Sequence, residues 1–184
     1  MKNLFFVISL LPLTLAQSQN GKLSPEFYQD KREIFREKMP ENSVAVLFSA
    51  PIRNRANDVD YVFHQDPDFF YLTGWHQPHS VLMIYKNPQV DELGSFNEII
   101  YVLERDEYKE LWNGKRYSVE AVKKLGFERV NTRNHFMNDI SNLSTYDKVL
   151  MFGFNNDIRN QEDDPFDLFD LKAAFKNAIN FPSS

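Results

Sequence analysis

The sequence has no cysteine, which excludes disulfides, thiolate metal ligands, a cysteine nucleophile and a lipid-modified cysteine anchor. Glycine is scarce as well, six in 184 residues, and none stands in a G-x-G-x-x-G, P-loop or G-x-S-x-G pattern. A backbone cradle for phosphates and a serine elbow are therefore excluded. Positive charge is in deficit: 21 Lys and Arg against 26 Asp and Glu leave a net charge of −5. With no basic stripe, nucleic acid is not expected as a partner. No apolar run reaches the roughly 20 residues that span a bilayer.

What is abundant is apolar and aromatic material. Seventeen Phe and eight Tyr, within 42% hydrophobic and 26% charged residues, describe one globular domain with ample core. The first residues, MKNLFFVISLLPLTLAQSQ, pair a basic head at Lys2 with an apolar run over 4–15. That is the pattern of a signal peptide over residues 1–16, cleaved after Ala16. A buried N-terminal strand is the competing reading, and Lys2 with the polar QSQNG that follows favours export. An exported chain without disulfides suits a bacterial periplasm or the extracellular medium, with no membrane contact once the signal is removed.

Ser24-Pro25-Glu26 is a helix start, with a hydroxyl cap, proline at the first helical position and an acid at the positive dipole end. Phe27, Tyr28, Ile34, Phe35 and Met39 give this helix an apolar face, and Pro40 ends it. SVAVLFS (43–49), VLMIY (81–85), EIIYVL (98–103) and KVLMF (148–152) read as strands, the first buried on both faces. Between them, 118–125 is a helix capped by Ser118 and stopped by Gly126, and a further helical segment aligns Phe136, Ile140 and Leu143. A last helix, expected from Asp164-Pro165, carries Phe166, Phe169, Ala173 and Ile179. The fold class is α/β, a mixed sheet flanked by helices, with one domain over 24–160. For 161–184 two readings stand: a helix docked on its own sheet, or a connector towards a catalytic domain absent from the chain.

Among candidate sites, His64, His76 and His79 lie near Asp58, Asp60, Asp66 and Asp68 and offer metal-ligand chemistry. No H-e-x-x-H spacing unites them, and Pro78 interrupts His76-x-x-His79, so no metal site is expected in this chain. Acidic runs such as Gln161-Glu162-Asp163-Asp164 read as solvated surface, and no catalytic residue is assigned. The aromatic stretch DPDFFYLTGWHQP (66–78) alternates Phe69 and Tyr71 with Phe70 and Leu72, which predicts a core strand followed by a turn at Thr73-Gly74. Trp75 beyond that turn, and Trp112 among the polar residues of ELWNGKR, are expected at a partner- or ligand-facing rim.

Three ordered blocks carry a resemblance: KREIFREKMPENSVAVLFSAP, RNRANDVDYVFHQDPDFFYLTGWHQPHSVLMI and ERDEYKELWNGKRY. Together they resemble the N-terminal domain of Xaa-Pro aminopeptidase, also called aminopeptidase P, over roughly residues 25–130. The chain departs from the family pattern at His64, Pro67 and Gln77, where Arg, Ser and Glu are usual. The resemblance implies a two-domain enzyme whose C-terminal pita-bread domain holds two divalent metals, usually manganese, through two Asp, one His and two Glu. It cleaves the bond after an N-terminal residue that precedes proline. The N-terminal domain would assemble a homo-oligomer and line a neighbouring subunit's active site through Asp58 and Trp112, an indole being a suitable face for a pyrrolidine ring. None of the five ligand motifs follows, so the chain alone is expected to be inactive and to bind no metal. The alternative is a free-standing, non-catalytic binding or assembly module of the same fold. A creatinase-like relative shares the two-domain layout, but the Y-L-T-G and W-x-G-x-R blocks count against it.

Overall fold

The computed structural model describes residues 23–57, 59–153, 158–160 and 164–180, without the side chains of Lys109, Trp112 and Asn113. Five strands form one sheet in the order β6-β5-β4-β1-β7: β1 (Ser43–Phe48), β4 (Val81–Asp91), β5 (Gly94–Val102), β6 (Arg129–Thr132) and β7 (Lys148–Met151). The central pairs β1·β4 and β4·β5 are antiparallel, with Val46 opposite Met83 and Leu82 opposite Ile100. The outer pairs β5·β6 and β1·β7 are parallel. The sheet is mixed, as expected, and its strands read as continuous apolar runs because helices cover both faces. A short ribbon of β2 (Asn54–Ala56) and β3 (Val59–Asp60) stands outside it.

Side-chain alternation along the strands divides the core in two. Ala45, Leu47, Leu82, Ile84 and Ile100 face α1 (Pro25–Lys38), α2 (Pro67–Thr73) and α4 (Val119–Lys123). Val44, Val46, Met83, Ile99 and Tyr101 face α5 (Arg133–Asp139), the 3-10 turn Ile140–Thr145 and α6 (Leu168–Ala178). Helix α3 (Glu107–Asn113) follows β5.

Helix α4 forms as its sequence predicts: Ser118 Oγ accepts the Ala121 amide at 3.3 Å, and Gly126 takes φ +80° after the last turn. Phe136, Ile140 and Leu143 share the buried side of their segment. In α1 the alignment differs in part, because Ile34 is exposed while Arg32, between Tyr28 and Phe35, is buried.

Two elements differ from expectation. The aromatic stretch is a helix, not a strand: Asp66 Oδ1 accepts the Phe69 amide at 2.9 Å, Pro67 occupies the first turn, and Gly74 closes it at φ +64° with its amide on the Phe70 carbonyl. Aromatic residues fit strands well on average, but the cap, the proline and the left-handed stop outweigh that preference over seven residues. Only Phe69, Leu72 and Thr73 are buried, at helical spacing, while Phe70 and Tyr71 face outward. The last helix begins at Leu168, with Asp167 accepting the Asp170 amide at 2.9 Å. Its buried residues are Leu168, Leu171, Lys172 and Phe175, so Phe166 and Phe169 lie exposed rather than on the packed face. Asp164 serves Arg133 instead, in a forked pair at 2.7 and 3.0 Å. Helix α6 thus docks on its own sheet beside Phe48, 5.4 Å from the Phe175 ring.

Candidate functional site

The loop leaving β1 opens the rim region. Ser49 and Ser80 clasp each other through Ser49 N–H on the Ser80 carbonyl, 2.9 Å, and Ser80 N–H on Ser49 Oγ, 3.0 Å. The segment 51–65 then bulges out through the β2–β3 ribbon, where Asn54 Nδ2 donates to the carbonyls of Asn57 and Val59 at 2.8 and 3.2 Å. Pro51, Arg53, Tyr61, Val62, Phe63 and His64 line a surface recess of about 420 Å³ there.

Gln65 fixes this bulge to the body of the domain. Its Oε1 accepts the amides of Ala50, at 2.7 Å, and Asp66, at 3.0 Å, while Nε2 donates to the carbonyls of Trp75 and Gln77 at 3.2 and 3.0 Å. One side chain therefore joins the end of β1, the start of α2 and the turn after it. All four hydrogen-bonding positions of the amide are used, which makes the position intolerant of shape changes.

Trp75 is core, contrary to its expected place at the rim. It is 4% exposed, its Nε1 donates to Ser80 Oγ at 2.8 Å, and its amide donates to Thr73 Oγ1 at 3.0 Å. An indole needs one partner for its N–H to be buried without penalty, and Ser80 supplies it. Tyr117 meets it edge-on at 5.5 Å. Arg116, one residue earlier, is buried and donates to the Glu104 carbonyl at 3.1 Å, so it closes the loop that carries α3. These contacts bring the three sequence blocks together: Ser49 from the first, Trp75 and Ser80 from the second, Tyr117 from the third.

Gly74 is required twice over in the Y-L-T-G block. Its positive φ disfavours any side chain, and a Cβ there would stand 2.5 Å from the Tyr28 ring.

Of the two predicted rim residues, Asp58 lies outside the described residues, between Asn57 at φ +51° and the start of β3. Trp112 lies on α3, and its side chain is likewise outside the described ones. Exposed apolar neighbours flank both positions: Val62 is 81% exposed, Tyr108 74% and Leu111 78%. The three histidines do not meet. His64 is exposed, and His76 packs 5.4 Å from the Phe63 ring and 6.0 Å from Phe70. His79 is buried, with its Nδ1 accepting the Leu168 amide at 3.0 Å. Among the described residues no group of three or more His, Asp or Glu is placed to hold a metal ion, so they do not fit a dinuclear manganese site.

A family model described as "Aminopeptidase P, N-terminal domain" matches residues 28–151. The chain belongs to the aminopeptidase P N-terminal domain family. It is 38% identical over 102 residues to the Xaa-Pro aminopeptidase of Haemophilus influenzae, covering 55% of this chain and 23% of that protein. Among solved structures, aminopeptidase P from E. coli with the inhibitor Pro-Leu superposes with TM-score 0.62 at 29% identity, over 71% of this chain and 29% of that one. The aminopeptidase PepP of Pseudomonas aeruginosa gives TM-score 0.69 at 25% identity, over 86% of this chain and 33% of that one. The chain thus spans about a quarter to a third of these relatives.

Residues with no role assigned from sequence are now the structural centre of the aminopeptidase P blocks. Gln65 and Arg116 stand inside them, Arg116 as the last residue of the W-x-G-x-R block, and block membership was their sequence signal although it assigned neither a role. A second centre is the buried pair of Arg32 and Glu98. Arg32 Nε and Nη2 meet the two Glu98 oxygens at 2.6 and 2.8 Å. Its remaining donors reach the carbonyls of Leu72 and Gly126 at 3.0 and 2.8 Å, and its guanidinium stacks 4.3 Å over Phe127. Burial pushes the Glu98 carboxyl up, and the Arg32 guanidinium pulls it back down. Helices α1 and α2, strand β5 and the turn after α4 are joined at that point.

Proposed function

We propose that this chain is the N-terminal domain of an exported Xaa-Pro aminopeptidase, a manganese-dependent exopeptidase that removes an N-terminal residue preceding proline. In this reading the domain joins subunits into a homo-oligomer. It also caps a neighbour's substrate site with Asp58 and Trp112, while the chain by itself does not cleave peptides. The observation that carries it is the convergence of the three family blocks. Gln65, Arg116 and the Trp75–Tyr117 contact tie together described segments of the blocks that carry positions 58 and 112, and Val62, Tyr108 and Leu111 nearby in sequence are exposed apolar residues. Exposed apolar side chains suit an interface between chains. The donor set for manganese is not among the described residues, so no catalytic step is assigned to them.

The test is a chimera in which residues 28–151 of this chain replace the matching segment of the Haemophilus influenzae enzyme. The chimera is expected to cleave an Xaa-Pro peptide with added manganese and to form an oligomer by light scattering. Trp112→Ala in the chimera is expected to lower kcat/KM on the order of 10- to 100-fold through lost substrate positioning. A chimera that folds and cleaves with Trp112→Ala at full rate would overturn the rim assignment. One that folds as a monomer would favour the free-standing module.

A further inference from the structure

On the face of the sheet opposite α1 and α2, the β4–β5 ladder shifts register between Ile84 and Gln89 before pairing resumes at Gln89 and Phe96. Beside this irregularity lies a cavity of about 470 Å³, bounded by the strands and by the segment 139–146. That volume lies within the about 300–1,000 Å³ typical of small-ligand sites.

Its walls are aromatic. Tyr85 contacts Phe96 edge-on at 5.9 Å and Tyr146 at 6.0 Å with the rings tilted by 37°. Its polar groups are largely committed. Tyr146 OH donates to Gln89 Oε1 at 3.1 Å, and Gln89 Nε2 donates to the Asn87 carbonyl at 2.9 Å. Tyr101 OH donates to Asp139 Oδ2 at 2.6 Å. Burial pushes the hydroxyls of Tyr85 and Tyr101 up, so both stay neutral donors rather than anions.

Charge decides what can enter. The lining contains no Lys, Arg or His, and it contains two acids, Asp91 and Asp139. Asp91 is answered by Arg129, whose Nε and Nη2 meet its oxygens at 2.8 and 2.9 Å, and Arg129 donates its remaining bonds to the carbonyls of Glu128 and Gly94. Asp139 has no ion-pair partner among the described residues. Among the described residues its one hydrogen bond comes from the neutral hydroxyl of Tyr101, which leaves a net negative charge at the wall. An anion would find no cationic partner, whereas an ammonium group would find a carboxylate beside the negative faces of aromatic rings.

We propose that this cavity binds a small organic ammonium ion, its charged head beside Asp139 and against the rings of Tyr85 and Tyr146. The proposal rests on the second face of the sheet alone and is independent of the peptidase reading.

Choline and its uncharged isostere 3,3-dimethylbutan-1-ol, titrated into the 184-residue chain and followed by calorimetry and by NMR of the tyrosine rings, test it. Choline is expected to bind saturably and at least about fivefold more tightly than the isostere, with shifts at Tyr85 and Tyr146. Asp139→Asn keeps an acceptor for Tyr101 and is expected to abolish the preference. Tyr146→Leu, which leaves the charge in place, is expected to weaken choline about threefold or more. Thermal melts establish that each variant is folded. Equal binding of the two probes, no saturable binding of choline, or an unchanged preference in folded Asp139→Asn would each overturn the proposal. If Asp139→Asn does not fold, undiminished choline binding by Tyr146→Leu would do so.

Discussion

The two faces of the sheet bury comparable apolar sets but close in opposite ways. On the first, α1, α2 and α4 meet around Arg32, which is 1% exposed and spends its donors on Glu98 and two carbonyls. On the second, α5 and α6 close the middle of the sheet, and the end near the β4–β5 hairpin stays open as the tyrosine-lined cavity. A charge can be sealed on the first face because, among the described residues, no buried side-chain nitrogen or oxygen is left without a hydrogen-bond partner. On the second, Asp139 keeps contact with the opening and is only half-buried. The first face is thus built to hold loops in place, and the second retains space.

The largest effect that would break this contrast is expected at Arg32. Arg32→Ala should cost about 3–5 kcal/mol, because it strands the Glu98 carboxylate in the core and frees the carbonyls of Leu72 and Gly126. Urea unfolding measures it. The paired change Arg32→Met with Glu98→Leu should recover most of the loss, since it removes the stranded charge. A loss below about 1 kcal/mol for Arg32→Ala would mean that the pair is solvated and the first face is not sealed.

This pair also shows where the sequence stops being legible. Strands β1, β4, β5 and β7 were legible because β-branched runs covered on both faces leave a continuous apolar signal. Helix α4 was legible from its cap and its glycine. Arg32 and Glu98 are 66 positions apart, and nothing local in either segment marks the other. A base set between Tyr28 and Phe35 was the only hint. The stretch 66–74 was misleading for a different reason: alternating aromatic residues imitate strand periodicity, while Asp66, Pro67 and Gly74 carry the helix signal in three positions. Trp75 was expected at the rim because a lone indole after a turn is often exposed, but Ser80, five residues on, satisfies its N–H and permits burial. The blocks of the candidate site were legible by resemblance. Their mutual contact through Tyr117 and Gln65 needed the fold.

The next effect depends on pH and belongs to the joint that holds α6. His79 takes φ +52° and accepts the Leu168 amide, with the Arg133–Asp164 pair and Arg116 close enough to act on it. Burial, assisted by the Arg133 charge, lowers its pKa from the ordinary 6.5 to about 4. The unfolded chain therefore takes up a proton between pH 6.5 and about 4 that the folded chain refuses. Stability from the neutral ring is complete above pH 6.5 and drains away as pH falls through that window, on the order of 2–3 kcal/mol by its lower end. His79→Asn tolerates the positive φ and keeps an acceptor for Leu168, so it should flatten this part of the profile. Parallel stability–pH curves for the two proteins would remove His79 from the account of how α6 is held.

The smallest effect sharpens the contrast from the other side. Tyr101→Phe deletes a fully buried hydroxyl but leaves its acceptor, Asp139, able to reach water at the cavity. The cost should be about 1 kcal/mol, the net worth of one hydrogen bond, rather than the penalty for an orphaned charge. The same kind of change, loss of one partner of a carboxylate, would then differ severalfold between the two faces for one reason, the access of water to the acid left behind. Urea midpoints of Tyr101→Phe and Arg32→Ala measured side by side decide it. If Tyr101→Phe proves as costly as Arg32→Ala, Asp139 is as dry as Glu98, and the open character of the second face is wrong.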